Sequence, residues 1–216
     1  MNLEQARFNM IEQQIRPWDV LDPTVLELLM VVKREDFVPA EHRAMAFVDT
    51  EIPLPQGQAM LSPKVEARLV QEAAACKHER VLVIGAGGAY LAALLGHRAH
   101  TVVVVQPDSE TLSHTRAALA HAHAANVQAV QADGAQGLKS QAPFDLIVLA
   151  GSVAAVPAVL FEQLKTGGRL VAIVGQLPVM QATLFTKGAQ AVQSKVLFDT
   201  AAPRLTGFAE PSRFQF

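Results

Sequence analysis

The sequence predicts an α/β fold built on a mostly parallel sheet. Strand-length apolar runs alternate with helical stretches between residues 81 and 174. The first run, residues 81–84, passes straight into Gly85-Ala86-Gly87-Gly88 and then into a helical pattern. Further on, two strand-like runs are joined by Lys187-Gly188-Ala189-Gln190. A βα series that ends in a hairpin reads as a parallel sheet with an antiparallel edge.

The elements follow in order. Residues 3–15 read as an amphipathic helix with Phe8, Ile11 and Ile15 on one face, ended by Pro17. Asp22-Pro23 is a helix start, with an N-cap followed by proline at the first helical position, and Val25, Leu26, Leu29 and Val32 form its stripe. The charged run 33–36 reads as a solvated helix end. Residues 50–63 hold three prolines and little periodicity, which describes a long loop. Ser62-Pro63 opens a helix to about Cys76, with Val65, Leu69 and Ala73 inward.

After the glycine loop and its helix, residues 101–105 form a continuous β-branched run, a strand buried on both faces. Asp108 caps the helix from 109 to about 124. Strands are expected at 127–130, 145–150 and 169–174, with a helix at 156–164 closed by Gly167-Gly168. The hairpin strands are 179–186 and 191–198. The tail, with Pro203, Gly207 and Pro211, reads as irregular.

The bulk numbers narrow the function classes. The chain has 216 residues, half of them apolar and 18% charged, which is a soluble globular balance. A net charge of −2 gives no reason to expect nucleic acid. The single cysteine, Cys76, excludes an intrachain disulfide and a cysteine metal cage, and it fits a cytoplasmic compartment. Residues 1–16 lack an apolar signal core, and no uncharged apolar run reaches membrane-spanning length. Seven histidines include the pairs His97/His100 and His121/His123, but no His-Glu-x-x-His spacing occurs, so no metal site is expected.

A strand, glycine loop and helix build a cofactor pocket at the carboxyl end of a strand, although the same turn also occurs where nothing binds. The neighbouring motifs decide. Val83-Ile-Gly-Ala-Gly-Gly-Ala-Tyr90, then Asp133-Gly-Ala-Gln-Gly137, then Ala142-Pro-Phe-Asp-Leu-Ile-Val148 follow in one order. Lys33-Arg-Glu-Asp-Phe-Val38 and Gln56-Gly-Gln58 lie upstream, and Pro157, Leu164, Gly167-Gly168 and Val174-Gly175 continue downstream. This set resembles the protein-L-isoaspartate O-methyltransferase family, a branch of the class I S-adenosylmethionine-dependent methyltransferases, over roughly residues 10–175 and more loosely in the tail.

The resemblance implies a Rossmann-like, seven-stranded sheet in a single domain. Residues 1–76 would be the N-terminal helical segment and substrate loop, 77–200 the cofactor core and 201–216 the tail. It implies S-adenosylmethionine as methyl donor and S-adenosylhomocysteine as product. The implied partners are isoaspartyl residues of damaged proteins, with neither nucleic acid nor membrane. Gly85, Ala86 and Gly87 would pass beneath the methionyl part, and Tyr90 would stand at the start of the next helix as a further cofactor residue. Asp133, with Gly134 beside it, would accept from the adenine amino group. Residues 58–62 would cover the methyl group, with Ser62 as the hydroxyl that orients the carboxylate.

The departures from the family pattern fall on functional positions. The carboxylate before the glycine loop is Val83, and the third motif glycine is Ala89. The acid that holds the ribose hydroxyls is Gln106, with Asp108 two residues on as a substitute acceptor. A charged ribose acceptor contributes roughly 1.5–3 kcal/mol, so its loss costs about one to two decades in affinity. The loop's threonine and serine are Ala59 and Leu61, with Ser62 one place late and also placed to cap its helix; the threonine expected after the fourth strand is Leu149. Two readings stay open: an isoaspartyl methyltransferase, or a weakened or inactive relative that keeps the fold as a binding or regulatory protein. A nicotinamide dinucleotide enzyme fits less well, because the bulky Tyr90 stands where its motif needs the third glycine.

Overall fold

The computed structural model describes residues 2–210. Its centre is a seven-stranded sheet in the order β5-β4-β3-β6-β7-β8-β9. The strands are β3 (Arg80–Ile84), β4 (Thr101–Gln106), β5 (Val127–Gln131), β6 (Phe144–Val153), β7 (Leu164–Gln176), β8 (Val179–Lys187) and β9 (Val192–Thr200). The strands from β3 to β7 pair in parallel, and β8 and β9 are antiparallel additions at one edge. A two-residue pair, β1 (Ile52–Pro53) with β2 (Ala59–Met60), lies upstream in the proline-rich loop.

Strand alternation makes two cores. Val81, Val83, Val102, Val104, Leu146 and Val148 face one side. That side is covered by α3 (Pro63–Ala73), α4 (Gly88–Gly96), α5 (Ser109–His121) and the N-terminal helices α1 (Leu3–Met10) and α2 (Pro23–Val31). Leu82, Ile84, Val103, Val105, Ile147 and Leu149 face the other side, where α6 (Ala158–Glu162) and the tail pack. Buried on both faces, these strands need no polar alternation. The chain runs outward from β3 to β5 and then returns to β6 on the opposite flank of β3. That reversal opens a crevice at the carboxyl ends of β3 and β6, where open α/β sheets place their ligands.

Several local expectations need correction. The first helix turns π-helical over Ile11–Ile15, and Phe8 is half exposed. The buried face runs through Arg7, Met10 and Ile11, because Arg7 pairs with buried Glu35. The charged run 33–36 is solvated only in part: Lys33 is exposed, but Arg34 and Glu35 are 0% and 3% exposed. Arg34 donates to Glu66 and to the carbonyls of Ala46 and Leu61 at 2.7–2.9 Å, so the buried cation has partners on three segments.

The helix at 156–164 shrinks to α6, because Leu164 already pairs with Phe144 in the sheet. Gly167-Gly168 then falls in an irregularity between Leu164 and Arg169 rather than in a helix cap. The helix opened by Ser62-Pro63 stops at Ala73, where Ala74 takes a left-handed conformation, and Cys76 is exposed beyond it. The tail has no helix or strand through residue 210, but it is held to the body through Ser152. Pro211 lies outside the described residues. No described helix is long and apolar enough to cross a membrane.

Candidate active site

The site is built from the turn after β3. Gly85 has φ +131°, a conformation that side-chain-bearing residues rarely adopt. Gly87 precedes α4, and a Cβ there would lie 2.6 Å from the Ala59 carbonyl and 2.7 Å from the Met60 Cα. The proline-rich loop therefore lies directly on the glycine turn, and Gly87 is what permits the approach. Gly134, after β5, is equally close-packed: a Cβ would meet Ile84 at 2.5 Å.

These turns converge on a narrow cleft. Gln58, Ile84, Gly85, Ala86, Val105, Pro107, Gly134, Leu205, Thr206 and Phe208 line it. Among the described residues, no lining side chain is acidic, basic or histidine. The remaining space is about 20 Å³, room for about one water. Leu205 Cδ2 lies 2.7 Å from the Cβ position of Gly85 and 2.7 Å from that of Gly151, so the side chain is wedged between the ends of β3 and β6. Phe208 lies beside Gly134, 3.7 Å from its Cβ position. Both side chains are buried.

Tail and β6 are joined by backbone bonds. Ser152 N–H donates to the Pro203 carbonyl at 2.7 Å, and Leu205 N–H donates to the Ser152 carbonyl at 2.9 Å. The Ser152 hydroxyl donates to the Ala202 carbonyl at 2.9 Å.

The sequence-expected residues divide by position. Gly85, Ala86 and Gly134 line the cleft together. Asp133 stands exposed at its rim, accepting from Ala135 N–H at 3.0 Å. Gln106 ends β4 fully buried, and among the described residues neither its Oε1 nor its Nε2 has a hydrogen-bond partner. Asp108 is committed elsewhere: it accepts from the Thr111 N–H and hydroxyl at 2.8 and 2.9 Å, and that backbone bond holds its carboxyl below the usual range.

Gly87 instead lines a second cavity of about 510 Å³ on the far side of the glycine turn, with Phe37, Leu54, Met60 and Ala89 in its walls and His114 and His121 beside them. Tyr90 lines neither space; its ring is buried against Phe37 and below Arg34. Burial and the nearby Glu66 push its hydroxyl further up from its ordinary range. Ser62 sits at the N-cap of α3 with no side-chain capping bond, and it does not line the cleft.

Leu205 and Phe208 are the cleft residues that sequence reasoning missed. Their only sequence signal is an apolar pair three apart in a tail rich in glycine and proline. No group of three or more His, Cys, Asp or Glu placed for a metal ion occurs among the described residues.

The orphaned Gln106 amide, the Asp133 carboxylate and the close-packed glycines suit a nucleoside cofactor in donor and acceptor chemistry.

Comparison with known proteins gives a consistent picture. The family model described as Protein-L-isoaspartate(D-aspartate) O-methyltransferase (PCMT) matches residues 5–202. A protein-L-isoaspartate O-methyltransferase from Koribacter versatilis is 38% identical over 180 residues, covering 83% of this chain and 80% of the relative. One from Methanoculleus marisnigri is 37% identical over 171 residues, covering 79% and 78%.

Among solved structures, a protein-L-isoaspartate O-methyltransferase superposes with TM-score 0.74 at 21% identity, covering 97% of this chain and 66% of that one. A Plasmodium falciparum structure, described as a putative protein-L-isoaspartate O-methyltransferase in complex with S-adenosyl-L-homocysteine, gives TM-score 0.77 at 16% identity, covering 96% and 99%. These two structures share the fold.

Proposed function

The chain belongs to the protein-L-isoaspartate O-methyltransferase family, and from that premise we propose that it methylates the side-chain carboxylate of isoaspartyl residues in damaged proteins, using S-adenosylmethionine bound at the carboxyl ends of β3 and β6. The observation that carries this reading is the cleft itself. It lies at the sheet's switch point and is framed by Gly85 and Gly134, with Asp133 next to Gly134 at its edge. Among the described residues, no acidic, basic or histidine side chain that could act as a base lines it.

That composition suits the chemistry. A carboxylate nucleophile is already ionised at neutral pH, so the reaction needs no general base. Bound S-adenosylmethionine supplies a methyl carbon made electrophilic by the attached sulfonium. That group would supply methyl transfer to the carboxylate oxygen, with the neutral thioether as leaving group. The protein's work is alignment and exclusion of water.

In this reading Gly85 and Ala86 leave room for the methionyl chain, Gln106 pairs with a ribose hydroxyl, and Asp133 accepts from the adenine amino group. The loop laid on Gly87, residues 58–62, covers the reacting atoms, with Ser62 near the peptide. Arg34 supports that loop by holding the Leu61 carbonyl. The cavity lined by Leu54, Met60 and Gly87 touches both the loop and the glycine turn, and we assign the peptide's flanking residues to it.

The test is transfer of labelled methyl from S-adenosylmethionine to matched isoaspartyl and aspartyl peptides. Base-labile label in the isoaspartyl peptide alone supports the assignment. Label in neither peptide, with the chain folded and the cofactor bound, refutes it and favours the non-catalytic relative.

A further inference from the structure

We infer that Arg34 is a positioning residue for methyl transfer: through the Leu61 carbonyl it fixes the peptide plane that carries Ser62, and so aims the Ser62 hydroxyl at the acceptor carboxylate. The inference rests on the methyltransferase reading above and adds the group that orients its loop hydroxyl.

The first observation is a hydroxyl left uncommitted by its helix. Ser62 stands at the N-cap of α3, yet its side chain makes no capping bond. The caps Asn2, Asp22 and Asp108 each accept one. Ser62 is half-buried, and its loop neighbours Ala59 and Met60 are the residues that press on Gly87.

The second observation is what holds the backbone there. The Leu61 carbonyl and the Ser62 N–H belong to one planar peptide unit, so fixing the oxygen fixes the plane and the place of the Ser62 Cα. Arg34 Nη2 donates to that oxygen at 2.7 Å. The guanidinium is itself held, because Nη1 donates to the Ala46 carbonyl at 2.9 Å and Nε to Glu66 at 2.8 Å. Its Cζ lies 6.0 Å from the centroid of the Tyr90 ring. Tyr90 belongs to α4, which starts at the glycine turn, and Glu66 to α3, which Ser62 opens. One buried planar cation therefore sets the loop against both helices. A lysine ammonium keeps the charge but lacks the fork, and it does not span Glu66, Ala46 and Leu61 together.

The chemistry uses such an arrangement. A hydroxyl that donates to one oxygen of the acceptor carboxylate leaves the other facing the methyl donor, which is the alignment this reaction requires of the protein.

Methylation kinetics of the full chain on an isoaspartyl peptide, with S-adenosylmethionine as donor, test the inference as a cycle of Arg34→Lys and Ser62→Ala. Each single variant should lower kcat about ten- to a hundredfold, the worth of one hydrogen bond to a charged group, with S-adenosylhomocysteine affinity unchanged. The double variant should lose no more than Ser62→Ala alone, because Arg34 then has no hydroxyl to aim. If Arg34→Lys fails to fold, Arg34→Met/Glu66→Leu replaces the buried pair with apolar side chains and takes its place in the cycle.

Wild-type kcat in either single variant, or losses that multiply in the double variant, overturns the positioning role and leaves the methyltransferase reading intact. Absence of methylation by wild type overturns that reading, and the positioning role with it.

Discussion

The Cδ2 methyl of Leu205 stands 2.7 Å from the point that a Cβ on Gly85 would occupy. Tail and glycine turn are thus fitted to each other through an atom that glycine lacks. Gly85→Ala should therefore lower stability twice over. The φ of +131° strains any side chain, at about 1–3 kcal/mol, and overpacking against Leu205 adds about 1–3 kcal/mol. Adding Leu205→Ala should remove the second part and leave the first. Urea unfolding of the single and double variants measures the coupling. Strictly additive losses would mean that the two residues do not press on each other.

Gln106 has two buried polar atoms without partners among the described residues. Gln106→Leu should raise the stability of the ligand-free chain by about 1–3 kcal/mol, because an unsatisfied amide gives way to an apolar side chain of similar length. The same change should reduce the thermal shift caused by S-adenosylhomocysteine. A stability gain with an undiminished ligand shift would show that Gln106 does not face the ribose.

Glu66 predicts a pH dependence. Burial pushes its carboxyl from 4.5 up to about 7, against the pull of Arg34. The folded value lies above the unfolded one, so between them the folded chain holds a proton that the unfolded chain has lost. The stabilisation is complete below about 4.5 and declines as pH rises to about 7. Asp145 works in the opposite sense. Burial raises its carboxyl, but the Arg80 N–H and Lys165 outweigh this and hold it below 3.8, so its contribution is lost only in more acidic solution. Denaturation midpoints from pH 4.5 to 8 should flatten in Glu66→Gln relative to wild type. An identical slope in both would contradict this assignment.

The sheet was largely legible because its information is local. Val102 to Val105 are apolar on both faces, and such a run has few homes outside a two-sided parallel sheet. Asp22 and Asp108 cap their helices as their sequence positions suggest. What escaped depends on distant partners. Arg34 and Glu35 read as solvated because nothing nearby announces that Glu66 and Arg7 will meet them in the core. Tyr90 falls within the glycine motif, yet helix geometry turns its ring toward Arg34 and away from the cleft. Leu205 lies 120 positions after Gly85 in an irregular tail, and only the folded crevice brings them together.

In the proposed function a nucleoside cofactor binds at the carboxyl ends of β3 and β6 with its adenine at Asp133. Calorimetric titration of wild type and Asp133→Ala with S-adenosylhomocysteine tests it most directly. Wild type should bind saturably and one-to-one, and loss of one charged hydrogen bond should weaken the variant about ten- to a hundredfold. Equal affinity in the two proteins, or no binding by either at millimolar ligand, would contradict it.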